Sequence, residues 1–286
     1  MSVAPVPAGP ADGIELDLFL EALHRRWHYD FRSYSRASLI RRAELARERL
    51  GCATLSDLQG RLLRDPAILP DVIDAMTVQV SELFRDPPYY LALRREVIPH
   101  LRTFPSLKVW VAGCADGEEL YSLAILFREE GLFDRTVFYA TEINRRALAR
   151  AEVGVYPIDR LPAFSQNYQQ AGGTGTLADH YTAAYGRVAF DRALRTRTVF
   201  TEHNLASDQV FSEVHLISCR NVLIYFDSPL QDRALGLFAE ALTRGGFLGL
   251  GSHETLRFSP HAASFAAFDE PGRIWRRVAR RENAHA

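Results

Sequence analysis

A strand, a glycine turn and a helix follow one another between Leu107 and Glu130, in LKVWVAGCADGEELYSLAILFREE, and few folds accommodate that order. Leu107–Ala112 is a short apolar run containing Val109, Trp110 and Val111, which predicts a strand covered on both faces. Gly113-Cys-Ala-Asp-Gly117 supplies a turn with two glycines, so the backbone can come close to a ligand at Gly113. From Glu118 onward, Leu120, Leu123, Ala124 and Phe127 recur at helical spacing, and Glu118 and Glu119 sit in the first turn, where negative charge suits the helix dipole. This is the opening of a nucleotide-binding α/β unit, with free N–H groups at the helix start.

The rest of the composition removes several classes. With 286 residues, 47% hydrophobic and 24% charged, the chain has the make-up of a soluble globular protein of one large or two small domains. A net charge of -1 implies no bulk attraction to nucleic acid or to an anionic membrane. Cys52, Cys114 and Cys219 are far apart, so neither a disulfide framework nor a zinc site is expected, and no metal is assigned. The first residues, MSVAPVPAGPADG, lack the basic and apolar regions of a signal peptide and read as a flexible tail. No apolar run approaches the roughly 18 residues of a membrane span, and a cytoplasmic location is expected.

Ahead of the strand, amphipathic stretches predict helices over Ile14–Trp27, Ser35–Leu50 and Leu55–Arg64, the last capped by Thr54, and a fourth from Pro70 to Met76. Leu39, Ala43, Ala46 and Leu50 share a face of the second helix, with Arg36, Arg41, Arg42, Arg47 and Arg49 around it, a candidate docking surface for an acidic partner. The segment TVQVSELFRDPPYY then leads into a helix over Tyr89–His100, begun by Pro87 and Pro88. The expected domains are 14–90, all helical, and 91–280.

Beyond the glycine turn, Thr136–Ala140 predicts a second strand. Glu142, about 25 residues past Gly117, stands where Rossmann-like folds hold a ribose, and Asn144 is the N-cap of a helix over Arg145–Ala151. Residues 152–197 carry Gly154, Pro157, Pro162, Gly172, Gly173 and Gly175 and are too long for a plain connection, so an inserted subdomain or a lid is expected there, with a short strand or hairpin over Tyr181–Phe190. Strands over Val199–Glu202 and Val214–Ser218 end in His203-Asn204-Leu205 and Cys219-Arg220-Asn221, on the edge where open α/β sheets bind ligands. A helix capped by Ser228 and ended by Gly245-Gly246 precedes a strand over Phe247–Leu250. Phe265–Phe268 and Arg273–Val278 close the chain as an antiparallel pair before a polar tail. GxxxG in place of GxGxxG, together with that final pair, argues against a dinucleotide dehydrogenase and for the sheet of an S-adenosylmethionine-dependent methyltransferase.

In order, TVQVSELFRDP, VWVAGCADGEELYSLAILF, YATEINRRALARAEVGVYP, HNL, ISCRNVLIYFD and GFLGLGSHETL resemble the motifs of the CheR family, the protein-glutamate O-methyltransferases of bacterial chemotaxis. The resemblance implies a Rossmann-like class I S-adenosylmethionine methyltransferase sheet with an N-terminal all-helical domain and a small inserted subdomain. It implies S-adenosylmethionine as cofactor, leaving S-adenosylhomocysteine. It places Gln79, Ser81, Arg85, Glu118, Glu142, Asn144, Asn204, Leu205, Arg220 and Asn221 at the cofactor and Tyr225 at the methyl-transfer pocket, with Arg85 and Tyr225 as the catalytic candidates. Gln79 replaces the family's usual Asn, Ser81 its Thr and Glu142 its Asp, each keeping a hydrogen-bonding group. His203 and His253 are read as local hydrogen-bonding residues. The implied partner is the helical cytoplasmic region of a chemoreceptor, met by a monomer through the arginine-bearing helix. Two rivals stand beside this reading: a cofactor-binding regulatory module without activity, and a methyltransferase acting on a nucleic acid or small molecule.

Overall fold

The computed structural model describes residues 10–278. Most of the expected tail at the start and the polar tail at the end lie outside the described residues. The chain divides into two compact units. Of the described residues, one holds those up to Val78 together with Tyr225–Leu230; the other holds Gln79–Ile224 and those from Gln231 onward.

The first unit is built on four helices: α1 (Pro10–Trp27), α2 (Arg36–Arg49), α3 (Leu55–Arg64) and α4 (Leu69–Met76). Phe19, Leu20 and Leu23 of α1, Leu39, Ala43 and Ala46 of α2, Leu58 and Leu62 of α3, and Val72 and Ile73 of α4 are buried. The stripe read on α2 is therefore its inward face. Thr54 caps α3 in a reciprocal box with Asp57. The distant Tyr225–Leu230 joins this unit through backbone: Ser35 N–H donates to Tyr225 O at 2.7 Å, and Asp227 N–H donates to Ser33 O at 2.9 Å. The Phe226 ring meets Tyr34 edge-on at 4.8 Å.

The second unit opens with α5 (Pro87–Ala92), which runs on through a π-helical turn at Leu93–Val97 into α6 (Ile98–Leu101). Then come β1 (Leu107–Ala112), α7 (Glu118–Glu129), β2 (Thr136–Glu142) and α8 (Arg145–Val153), followed by β3 (Val155–Pro157), α9 (Leu161–Gln170), β4 (Tyr181–Ala184) and β5 (Arg187–Phe190). The last elements are β6 (Thr198–Glu202), β7 (Val214–Cys219), α10 (Ser228–Ala241, whose first turn groups with the helical unit), β8 (Leu242–Leu250), β9 (Phe265–Asp269) and β10 (Ile274–Arg277). The main sheet has seven strands in the order β6-β2-β1-β7-β8-β10-β9. β6, β2, β1, β7 and β8 are mutually parallel, and β10 runs antiparallel between β8 and β9. Residues 152–197 contain their own three-stranded antiparallel sheet, β3-β5-β4, so the insertion is a subdomain.

Two local expectations are corrected. α10 does not run to Gly245-Gly246: it stops at Ala241, and β8 begins at Leu242, which pairs with Val214. The register then shifts between Val214 and Leu216, and Gly245 takes a φ of 84°. The glycines make a strand irregularity rather than a helix end. Nor is Ser228 the cap: the Asp227 carboxylate accepts the Leu230 N–H at 3.0 Å, the usual geometry of an acidic N-cap.

A buried ionic cluster fixes the insertion to the sheet's helices. Arg94 donates to Glu129, to Glu130 at 3.1 Å and to Ala171 O at 3.1 Å. Tyr168 also donates to Glu129, and His180 Nε2 lies 3.6 Å from it. Burial opposes ionisation of Glu129, but His180, Tyr168 and Arg94 outweigh it and hold the carboxyl down at about 2. A pKa depressed below its unfolded value gives stability that is complete above about pH 4.5 and lost as pH falls towards 2. Glu129→Gln is therefore expected to cost about 3 kcal/mol at pH 7, a gap that narrows below about pH 4.5. Urea titrations of both proteins from pH 7 to 3 measure it, and a gap independent of pH would contradict the assignment.

Candidate active site

The parallel register brings the carboxyl ends of five strands to one edge. Ala112 pairs with Thr141, Glu142 with Glu202, Val111 with Ser218, and Cys219 with Leu250. The turns that leave this edge carry Gly113, Glu118, Glu142, Asn144, Asn204, Leu205, Arg220 and Asn221, so the residues expected on separate motifs meet on one rim.

The glycine turn is shaped by close contact. Gly113 has a φ of 73°, and a Cβ there would stand 2.6 Å from Val222 Cγ2; at Gly117, with a φ of 97°, it would stand 2.8 Å from Ala151 Cβ. Both positions require glycine. The N–H groups of Gly113 and Cys114 donate to Thr141 O, each at 2.9 Å, which ties the turn to β2.

Glu142 is buried and accepts N–H groups from Ala115 at 3.0 Å, Ile143 at 2.9 Å and Asn144 at 3.1 Å. Burial raises its pKa, with those N–H groups pulling the other way. A carboxylate has about four acceptor positions, so one remains for a hydroxyl. Asn144 is the N-cap of α8, taking the N–H groups of Arg146 and Ala147 at 2.9 and 3.2 Å. Asn204 folds its carboxamide oxygen onto Ala206 N–H at 2.9 Å and gives its own N–H to Asp208 at 2.9 Å. Leu205 is buried beside it. His203 engages Gln209 O through Nε2 at 3.2 Å and packs edge-on to Trp110 and Phe211.

Arg220 is the hub. One guanidinium nitrogen donates to Arg85 O at 2.7 Å and Asp86 at 2.9 Å; the other reaches Glu119 at 3.3 Å and Tyr90 OH at 3.4 Å. The cation also lies over the Tyr89 ring, 4.3 Å from its centre. Tyr89 OH and Ser218 Oγ are 2.8 Å apart. Burial works against the charge on Arg220, but the surrounding tyrosines and acids outweigh it and raise its pKa. The stretch Arg85–Tyr90 is thereby clamped to the end of β7, and Ser81 O is held by Arg160, which also bonds Glu118 at this edge. Phe84 and Asp86 in the segment Gln79–Tyr90 have left-handed φ values of 50° and 55°. Phe84 N–H is held by Ser122 Oγ at 2.7 Å. The Arg85 guanidinium bonds Val80 O, at 3.4 Å, within its own segment.

Glu254, in the GSHETL stretch, was assigned no role from sequence, yet its buried carboxylate orders the neighbouring turn. It accepts N–H groups from Gly251 at 2.6 Å, Val222 at 2.9 Å, Asn221 at 3.0 Å and Ile224 at 3.3 Å. Asn221 is held there with a φ of 60°. Sequence reasoning also missed Asp86, Glu119 and Arg160. Asp86 reads as the residue before two prolines and Glu119 as a first-turn acid, and only the fold pairs them with Arg220.

Tyr225, the other catalytic candidate, groups with the helical unit rather than with this rim, next in the chain to Ile224. It lies near Arg42, whose pKa is lowered by burial and by Arg41, with Tyr225 opposing.

Residues 79–270 match the CheR methyltransferase SAM-binding domain, and residues 14–77 match the CheR methyltransferase all-alpha domain. The chain belongs to the CheR methyltransferase family. It is 51% identical over 264 residues to the putative methyltransferase Cher3 of Pseudomonas putida, a match covering 92% of this chain and 97% of the relative. It is 32% identical to chemotaxis protein methyltransferase 2 of Pseudomonas aeruginosa, covering 80% and 79% of the two chains, and 30% identical to a Listeria monocytogenes chemotaxis protein methyltransferase, covering 71% and 75%. As a CheR-family protein it is an S-adenosylmethionine-dependent methyltransferase with the class I sheet. The rim suits that cofactor on its own chemistry. Glu118 Oε2 and Asn221 Oδ1 are buried acceptors with no hydrogen-bond partner among the described residues, and S-adenosylmethionine offers ammonium, amino and hydroxyl donors.

If Glu254 sets the Asn221 turn, Glu254→Gln turns an amide NH₂ towards backbone N–H groups. S-adenosylhomocysteine binding is expected to weaken at least about 10-fold, with Glu254→Asp intermediate. Calorimetry on the folded variants measures this, and unchanged affinity would remove Glu254 from the site.

Proposed function

We propose that this chain transfers a methyl group from S-adenosylmethionine to glutamate side chains in the cytoplasmic helices of a chemoreceptor, forming methyl esters in chemosensory adaptation. The observation that carries the reading is the family's SAM-binding domain joined to an all-alpha domain over nearly the whole chain, in company with relatives named as chemotaxis methyltransferases. The chain then works as a monomer in the cytoplasm, where such receptor segments lie. Its all-alpha domain covers 14–77 and its SAM-binding domain 79–270, so the expected boundary at 90/91 falls some dozen residues too late, and the insertion at 152–197 lies within the second.

Bound S-adenosylmethionine supplies an activated sulfonium methyl group. The side chains divide the remaining work. Glu118 takes the cofactor's ammonium through its free oxygen, and Glu142 accepts a ribose hydroxyl at its remaining lone pair. Asn221 accepts a donor through its free oxygen. Gln79, Ser81, Gly113, Asn144, Asn204 and Leu205 line the pocket, and Arg220 holds the segment that carries Arg85. Arg85 orients a carboxylate, on the substrate or on the cofactor. Tyr225 stands at the substrate. A glutamate carboxylate, with a reference pKa of about 4.3, is already ionised at neutral pH and needs no general base. Alignment and exclusion of water then carry the rate.

The acidic receptor helix is met by α2. Arg41 and Arg49 are exposed on it, whereas Arg36 is engaged with Asp17 and Gly13 O, Arg47 with Glu44 at 2.7 Å, and Arg42 is half-buried. Among the described residues, Arg41 and Arg49 are therefore the α2 arginines that are exposed and make no ion pair.

With methyl-labelled cofactor and a receptor fragment, base-labile label is expected on glutamates, and Arg85→Ala should lower the rate about 100-fold. Label on RNA or DNA instead, or label stable to base, would refute the substrate. Reversing Arg41 and Arg49 to Glu should cut receptor methylation about 10-fold while S-adenosylhomocysteine affinity stays unchanged. Undiminished methylation would remove α2 from the docking surface.

A further inference from the structure

The insertion reaches into the rim through one side chain that neither the motifs nor the reading above assigns. Arg160 lies between β3 and α9. Its guanidinium donates through one nitrogen to Glu118 Oε1 at 2.5 Å and through the other to the backbone oxygen of Ser81. Asn167, on α9, donates to Leu83 O at 3.1 Å. The insertion thus grips the cofactor segment 79–85 at two places and the first residue of α7 at a third.

Glu118 is fully buried, and its other oxygen has no partner among the described residues. Its surroundings explain why it needs Arg160. The groups facing it are Arg160 from the insertion, Asp116 from the glycine turn, Tyr156 from β3 and the Cys114 thiol. Asp116 is answered by Arg150, 2.9 Å away, and Tyr156 OH donates to Asp116 O at 2.8 Å. Arg160 is the one cation on Glu118 among the described residues. Burial disfavours the charged form and Asp116 adds to that; the α7 backbone and Arg160 oppose both.

We propose that Arg160 is a positioning residue for the cofactor: by pairing with Oε1 while anchored on Ser81 O it fixes the Glu118 rotamer, so that Oε2 faces the ammonium of the bound amino-acid moiety. The two carboxylate oxygens serve two cations, one resident and one arriving with the ligand. The opposite role, Arg160 as a competitor displaced by the ligand, is disfavoured by geometry. Arg160 occupies only Oε1, and its second nitrogen is anchored on Ser81 rather than aimed at Oε2. The inference rests on Glu118 meeting the ammonium, as proposed above.

Calorimetry with two ligands tests it. S-adenosylhomocysteine carries the ammonium; 5′-methylthioadenosine keeps the nucleoside and sulfur but lacks it. For Arg160→Gln, S-adenosylhomocysteine binding is expected to weaken at least about 10-fold at pH 7, and the loss should deepen as pH is lowered, because Glu118 without its cation is easier to protonate. Wild type should lose less affinity over the same pH range. Methylthioadenosine affinity should be unchanged in the variant, and Arg160→Lys should recover most of the loss. Tighter binding by Arg160→Gln, equal loss of both ligands, or a pH-independent loss would overturn the role. Failure of the wild-type protein to bind either ligand would instead strike the proposed cofactor site itself. If Glu118→Gln binds S-adenosylhomocysteine as well as wild type, the ammonium is elsewhere and the role of Arg160 falls with it.

Discussion

The buried guanidinium of Arg220 is the constraint on which the rim depends. A charge placed at the end of a sheet strand, out of water, is tolerable only when several partners share it. Here two carboxylates, a backbone carbonyl and two tyrosine rings converge on it. Those partners come from the segment before the sheet, from α5 and from α7, so satisfying one cation fixes three parts of the chain against β7. The left-handed residues Phe84 and Asp86 flank the carbonyl it takes. Non-glycine residues hold such conformations only where their surroundings over-determine them, and a donor on Arg85 O together with one on the Asp86 carboxylate does that.

Three further acids show a common device. Glu142, Glu254 and Glu118 are all buried at the same edge, and burial raises the pKa of each. In the first two the opposing force is a ring of backbone N–H groups from turns that would otherwise bury unpaired donors. Carboxylates there replace missing secondary structure: each turn leaves its strand too abruptly to satisfy its own amides. Glu118 differs in kind: its resident partner is the Arg160 side chain, and a whole oxygen, Oε2, has no partner among the described residues. Glu254, with four N–H donors, is filled by the turn it builds, whereas Glu142 keeps one acceptor position and Glu118 a whole oxygen.

The sheet was legible because buried parallel strands and amphipathic helices leave strong local periodicities: β1 over Leu107–Ala112 and α3 over Leu55–Arg64 fall where the pattern places them. The end of α10 was not, because Gly245-Gly246 looks alike as a helix stop and as a strand irregularity, and only the pairing of Leu242 with Val214 decides between them. Of the rim, the strand-end motifs could be read because chemistry and position coincide at the ends of strands. Asp86, Glu119 and Glu254 could not. Their partners are 134, 101 and 33 residues away in the chain, and a charged residue in a turn looks the same whether it faces solvent or a buried guanidinium.

The insertion between β2 and β6 has a consequence for how the rim is held. Arg220 grips Arg85 and Asp86 from the sheet side, while Arg160 and Asn167 grip Ser81 and Leu83 from the insertion. The same six-residue stretch, Ser81–Asp86, therefore has two owners. The Arg94–Glu129–Tyr168 cluster in turn fastens the insertion to α7, the helix whose first residue is Glu118. A displacement of α9 cannot move Ser81 alone: it must also pull on α7 through Glu129 at one end and on Glu118 through Arg160 at the other. The ionic contacts at the two ends of α7 thus make the insertion part of the cofactor rim rather than an appendage to it.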